Sequence, residues 1–327
     1  MIVGKDLRRW LADRPRQRAT EAAIEAFGRE WGLGQTHRHF DEAFSAIAEP
    51  TAEKVADAAC ALFADEGWVD ALVDGLAARL HADPYFRPPF RPLTTDIHSG
   101  LLVYEHPLVS IAAGISTAVQ MAAKKTAPNR GATSVGFNGQ YGVFKFVKAG
   151  GARFSFWEAP PVTAGFTAAQ AGRCQRTGER DIEDGEILVI DGRRQSYVVE
   201  RLRGNMLILQ AAITIEQAPV SVEYDSADGH FVGCSASDDT ASRIQMVTTL
   251  LRKLDCGAAL PAMTDLLDHP DFFVRWHVMK EMLGIDVRAA LPHLKRMAAT
   301  DPHPDPRRAA RVVLDRLEAP VGKRQAA

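Results

Sequence analysis

The chain has 327 residues, 46% of them apolar and 24% charged, with a net charge of −2 at neutral pH. That is enough chain for two or three domains and a substantial core. The near-zero charge removes any bulk electrostatic attraction to nucleic acid or to an acidic membrane. Four cysteines (Cys60, Cys174, Cys234, Cys256) stand far apart with no CxxC pair. This argues against a disulfide framework or structural zinc and for a reducing, cytoplasmic setting. The N-terminus lacks an apolar core of signal-peptide length. The most apolar window, Leu101 to Ala123, is interrupted by Glu105, His106, Pro107 and Gln120, so no membrane span is expected.

Residues 1–92 form the first region. Apolar residues at helical spacing run through Ala19–Trp31, His39–Ile47, Ala52–Ala64 and Trp68–Leu80, and Thr51 is placed to cap the third of these. Asp83-Pro84 ends the helical part. Pro84, Pro88, Pro89 and Pro92 then make a stiff connector.

Residues 93–238 read as an antiparallel β domain. Leu101–Tyr104 and Leu108–Ala113 are expected as two strands broken at Pro107, and Ala118–Lys125 suits either helix or strand. Ser134–Phe137 and Gln140–Val147 flank Asn138-Gly139, the pattern of a two-residue hairpin. Ala149 to Ala152 is expected as a second turn, returning as Arg153–Glu158. Period-two alternation continues through Glu186–Ile190, Ser196–Glu200 and Met206–Ile215. Val220–Tyr224 and His230–Cys234 then pair across a turn. Seven or eight short strands with a turn about every ten residues imply a barrel or sandwich.

Within that domain, Asp184-Gly185-Glu186, the apolar run to Ile190, Asp191-Gly192 and Gln195-Ser196-Tyr197 resemble a stretch of the cupins. The resemblance implies a double-stranded β-helix barrel whose metal is held by histidines and a carboxylate. Gln195-Ser196 stands where such a histidine would be expected, which weakens the case for a metal-dependent activity.

Residues 239–319 return to helix, with Thr240 or Ser242 as cap for Arg243–Leu254. Two stretches echo each other at a spacing of 31 residues, Ala258-Ala259-Leu260-Pro261 and Ala289-Ala290-Leu291-Pro292. Each leads to an Asp-Pro or His-Pro break and a second helix, near Asp271–Arg275 and Asp305–Arg308. The pattern resembles HEAT repeats, which implies stacked helix pairs. Residues 320–327 read as a disordered tail. The fold class expected is thus α+β, a cupin-like antiparallel barrel or sandwich flanked by an N-terminal helical block and C-terminal HEAT-like helix pairs.

Three groups of residues are candidates for chemistry. His98, His106 and His230, with Glu105 as a further ligand, could hold Fe, Mn or Zn inside the barrel, because neutral imidazole is a common ligand. Arg194, Gln195 and Tyr197, with Arg193, follow a turn that would open into the barrel mouth, where a small polar or anionic molecule could bind. His37 and Asp41 form an i, i+4 pair better read as a helix end. Basic residues on the C-terminal helices are offset by Asp265, Asp268, Asp271, Asp286, Asp301 and Asp305, which argues against nucleic acid. Gly114-Ile115-Ser116-Thr117-Ala118 falls short of a nucleophile elbow, and there is no phosphate loop. The preferred reading is a binding or scaffolding protein, its helical repeats facing a partner protein and its barrel structural or holding a small ligand. The rivals are a metal-dependent cupin-like oxygenase or isomerase using the barrel histidines, and nucleic-acid binding by the C-terminal helices.

Overall fold

In the computed structural model, residues 5–94, 98–121, 134–163, 165–237 and 239–318 are described. Five helices come first: α1 (Lys5–Ala12), α2 (Arg14–Gly32), α3 (Gln35–Ser45), α4 (Ala52–Ala64) and α5 (Gly67–Ala82). Local chemistry sets their ends. Asp13 accepts the Arg16 N–H and Thr51 the Lys54 N–H, each satisfying a donor that the first helical turn leaves open. Phe40, Phe44, Val55, Ala59, Phe63 and Leu72 turn inward and form one core with the sheet that follows.

Twelve strands occupy the middle: β1 (Arg91–Thr94), β2 (His98–His106), β3 (Val109–Ser116), β4 (Ser134–Phe137), β5 (Tyr141–Lys148), β6 (Arg153–Glu158), β7 (Gln175–Asp181), β8 (Ile187–Asp191), β9 (Gln195–Arg201), β10 (Met206–Ile213), β11 (Val220–Asp225) and β12 (Phe231–Ala236). Every pairing between them is antiparallel. They form a six-stranded sheet, β1-β2-β3-β10-β5-β8, and two three-stranded sheets, β12-β11-β4 and β7-β6-β9. The expected strands are present, including β2 and β3 on either side of Pro107, but the described strands form three sheets and not one closed barrel.

The turns do a different job from the one expected. The strands flanking Asn138-Gly139 do not pair, since β4 joins β11 whereas β5 joins β10 and β8. Gly139 has φ of +76°, donates its N–H to the Gly192 carbonyl and accepts from Ala218 N–H, so it turns a corner between sheets. Ala149 to Ala152 likewise carries the chain from β5 to β6 in another sheet, and β8 and β9 are divided in the same way. The predicted hairpin that does form is β11 with β12.

Alternation along β5 shows how the layers stack. Val143 faces the N-terminal helices, with Leu209 and Ile111 beside it. Lys145 pairs with Glu66 at the start of α5, Nζ to Oε1 2.8 Å. Phe144 and Phe146 face the other way, towards Phe154 of β6 and Ile208 of β10.

The C-terminal helices are α6 (Asp239–Lys253), α7 (Leu260–Asp265), α8 (Phe272–Ile285), α9 (Val287–Thr300) and α10 (Pro304–Glu318). Their repetition shows in the side chains. His269 and His303 each accept at Nδ1 the N–H of the aspartate two residues on, Asp271 and Asp305. Arg275 and Arg307 each donate Nη1 to the carbonyls six and five residues earlier. Arg275 also makes a bidentate pair with Asp301 of the next repeat, at 2.7 and 2.9 Å. The ring of His303 stacks on Phe272 at 3.8 Å and donates Nε2–H to the Phe166 carbonyl, joining the helical layer to the β region. No helix among the described residues is long and apolar enough to cross a membrane.

Candidate functional site

Between the six-stranded sheet and β9 lies a cavity of about 270 Å³, just below the usual range for small-molecule sites, about 300–1,000 Å³. Its floor comes from β5 and β10. Phe144 and Gln210 are register partners, so both side chains stand on the same face. Tyr197 of β9 closes it, its ring stacked on Phe154 at 4.8 Å and meeting Phe144 edge-on at 5.4 Å. Asn138, Gln140 and Gln195 line the rim, and no charged side chain of the described residues lines the cavity.

The polar groups divide into used and unused. Gln195 accepts the Asp191 N–H and donates to Glu158 at 3.3 Å, so its amide ties β8 to β6. Ser196 Oγ donates to the Gly136 carbonyl, and Asn138 Oδ1 accepts the Gln140 N–H. By contrast, among the described residues no hydrogen bond forms at the Tyr197 hydroxyl or at the side-chain amides of Gln140 and Gln210. Every fully buried side-chain polar atom among the described residues does have a partner. None of the three unused groups is therefore fully buried, and the residues that carry them line the cavity. Burial pushes the Tyr197 pKa up to about 12, so its hydroxyl remains a neutral donor.

Of the residues expected to bind a ligand, Gln195 and Tyr197 line this cavity. Arg194 does not. Its backbone N–H donates to Asp191 and its carbonyl accepts from Ala159, while its side chain is exposed. Arg193 is held by Asp191 at 2.8 Å and lies 3.6 Å from Glu216. Period-two geometry explains the selection, because 195 and 197 share a face. Gln210 was legible as the lone polar residue in the apolar run Met206–Ile213. Gln140 carried no such signal.

The three histidines do not converge. His98 opens β2 opposite Ser116, with Nδ1 3.3 Å from the Ser116 hydroxyl, and its ring lies where a β-carbon on Gly114 would collide with it. His106 closes the same strand eight residues on, roughly 26 Å away at strand rise. A β-bulge between Leu102 and Tyr104 also reverses the alternation, so even spacing does not keep the two on one face. The His106 ring packs on Phe44 and its Nδ1 accepts the Leu108 N–H. Glu105 pairs with Arg91 at the surface. His230 lies in the β11–β12 turn of a different sheet, against Asp228.

Asp225, Asp228 and His230 form the metal-capable cluster among the described residues. They sit in an exposed turn where both carboxylates already accept backbone N–H groups. In the cavity itself the donors are amides and a phenol. This set does not fit the histidine-and-carboxylate metal centre that a cupin resemblance implies, and we derive no chemistry through such an ion. His37 and Asp41 are 3.1 Å apart, and Asp41 also accepts from the Tyr104 hydroxyl at 2.7 Å. That contact ties α3 to β2.

No curated protein matches the chain. Among solved structures, it is similar to ectoine synthase from P. lautus, at 13% identity over 37% of this chain and 67% of that one, TM-score 0.22. It is similar to a cupin domain from Bordetella pertussis, at 6% identity over 37% and 98%, TM-score 0.22. A sugar phosphate isomerase from a cupin superfamily, from Silicibacter pomeroyi, matches at 10% identity over 44% and 79%, TM-score 0.24. Residues 233–315 match the family model of HEAT repeats, so the C-terminal helices of this chain are similar to HEAT repeats.

Proposed function

We propose that this is a binding or scaffolding protein whose β region holds a small, uncharged, polar molecule, while its HEAT repeats face a partner protein. The observation that carries the ligand reading is the trio of unused groups, the Tyr197 hydroxyl and the Gln140 and Gln210 amides, converging on an uncharged cavity with an aromatic floor. Amides donate and accept, and a phenol does both. A ligand rich in hydroxyl or amide groups would satisfy all three, whereas an anion would meet no cation.

The test is a thermal-shift screen of uncharged polyols, monosaccharides and primary amides, followed by calorimetry on any that raise the unfolding temperature. Binding should fall about tenfold or more in Tyr197→Phe and in Gln210→Leu, the loss expected when a site built to hydrogen-bond its ligand forfeits one partner. It should also be insensitive to salt, since no charge is paired. A screen in which only charged compounds bind, or binding that survives both substitutions, would remove this reading.

A further inference from the structure

The tripeptide His-Pro-Asp occurs twice, at His269–Asp271 and His303–Asp305, each time where the second helix of a repeat begins. Both copies fix their imidazole in the same way. Nδ1 accepts the N–H of the aspartate, at 3.1 Å in the first copy and 3.2 Å in the second, so the ring proton sits on Nε2. In the second copy that proton is used. His303 donates Nε2–H to the Phe166 carbonyl at 3.0 Å, and Asp305 accepts the Ala168 N–H at 3.4 Å. Thr167 between them is extended, with φ −126° and ψ 152°. The motif thus holds the main chain of an extended segment whose Phe166 ring is buried.

In the first copy, Nε2–H of His269 has no partner among the described residues. It is not fully buried either, since every fully buried side-chain polar atom among them is bonded. His269 lines a cavity of about 290 Å³ between the turn after α7 and helix α9. Its floor is apolar, from buried Leu267 and Met297. Arg275 and Asp301 also line it but are spent on each other, and Arg296 lies 3.3 Å from Asp268 at the rim. Apart from the two imidazoles, His269 and His293, the ionisable groups lining the cavity are therefore matched in pairs, and none is left to select an ion. We infer that this cavity docks an extended, uncharged peptide segment of a partner protein, with one backbone carbonyl on His269 Nε2–H and the apolar side chain of that residue on Leu267 and Met297. The filled copy selects this occupant, because Phe166 brings to His303 both a carbonyl and an apolar side chain. The volume agrees, since it falls below the roughly 300–1,000 Å³ of small-molecule sites and suits a single side chain.

This inference rests on reading the helical layer as a partner surface and uses nothing in the β region's cavity. The probe is the capped peptide Thr-Ala-Gly-Phe-Thr-Ala-Ala-Gln, the sequence of residues 163–170, titrated into the isotope-labelled full chain and followed by NMR of the histidine rings. His269 should show the Nε2–H tautomer, and its ring signals should move with a dissociation constant on the order of 1 mM, as one hydrogen bond and one apolar side chain allow. His303 should not move, because its site is filled within the chain. Replacing the peptide's phenylalanine by alanine should weaken binding about tenfold or more. His269→Asn can still accept the Asp271 N–H through its side-chain oxygen but has no donor beyond it. That variant should keep its circular dichroism spectrum and lose about tenfold in affinity. An Nδ1–H tautomer, ring signals of His269 that stay still, an alanine peptide that binds equally well, or a folded His269→Asn chain that binds as the wild type does would each overturn the inference. If the peptide shifts amides of α8 to α10 while His269 stays still, the docking site falls and the wider partner-surface reading stands. A peptide that shifts nothing in residues 239–318 counts against both.

Discussion

The Arg275–Asp301 pair allows a stability prediction with a worked size. Both residues are almost fully buried, 4% and 6% exposed, and the contact is bidentate. Arg275 also donates Nη1 to the carbonyls of His269 and Pro270, and Asp301 Oδ1 accepts the His303 N–H. Asp301→Asn keeps the shape but strands a buried guanidinium, which should cost about 3–5 kcal/mol. Arg275→Met strands the carboxylate at a similar cost and adds two unsatisfied carbonyls at about 1 kcal/mol each. The double variant Arg275→Met/Asp301→Leu leaves no buried charge. It should lose only the carbonyl and turn contacts, about 2–3 kcal/mol in all. The cycle should therefore be non-additive by at least about 3 kcal/mol. Hydrogen exchange of the amides in α8 and α9 reads the opening free energy of this layer directly. A double variant that costs the sum of the two singles would refute the idea that uncompensated charge is what destabilises each one.

Other expectations concern the cavity and the sheet. Tyr197→Phe should change unfolding free energy by less than about 0.5 kcal/mol, because the hydroxyl has no protein partner to lose; a loss above about 1 kcal/mol in chemical denaturation would show that it has one. Thr51→Ala should cost about 1 kcal/mol through the lost cap of α4, read as a shift in denaturation midpoint, and Thr51→Ser should retain most of it. Burial holds the His98 pKa below its ordinary 6.5, so on acidification the unfolded chain takes up this proton before the folded one. Stability should then fall as pH drops through 6.5 and level off below the folded pKa. His98→Asn should flatten that part of the profile, and a variant profile parallel to the wild type would exclude His98 as a source.

How much of this was legible in the residues depends on whether the signal was local. Thr51 as a cap and the HEAT echo at Leu260 and Leu291 are short-range patterns, and the structure contains both features. The strands were readable because alternation is a property of neighbours. Which strands pair was not, since Asn138-Gly139 has the chemistry of a hairpin yet turns a corner between sheets. The three histidines stay apart because His98 and His106 stand at opposite ends of β2 and His230 in a turn of another sheet, a separation that alternation counting cannot see. Gln195 and Tyr197 line the cavity together because they share a strand face. Gln210 comes from a strand distant in sequence, and only the pairing of β10 with β5 sets it beside them.

The position of β10 in the chain has a kinetic consequence. It bridges β3 and β5 at the centre of the six-stranded sheet, and Ala212 lies opposite Ser110, about a hundred positions upstream. During synthesis the N-terminal helices would emerge with their aromatic residues facing half a sheet, and that sheet cannot close before residue 213 has left the ribosome. Such long-range pairing makes for slow folding and a period of exposed apolar surface. The C-terminal helices pack mainly on one another, α6 on α8, α8 on α9 and α9 on α10, so their contacts close over short stretches of chain. Chaperone dependence should therefore be concentrated before β10 is released.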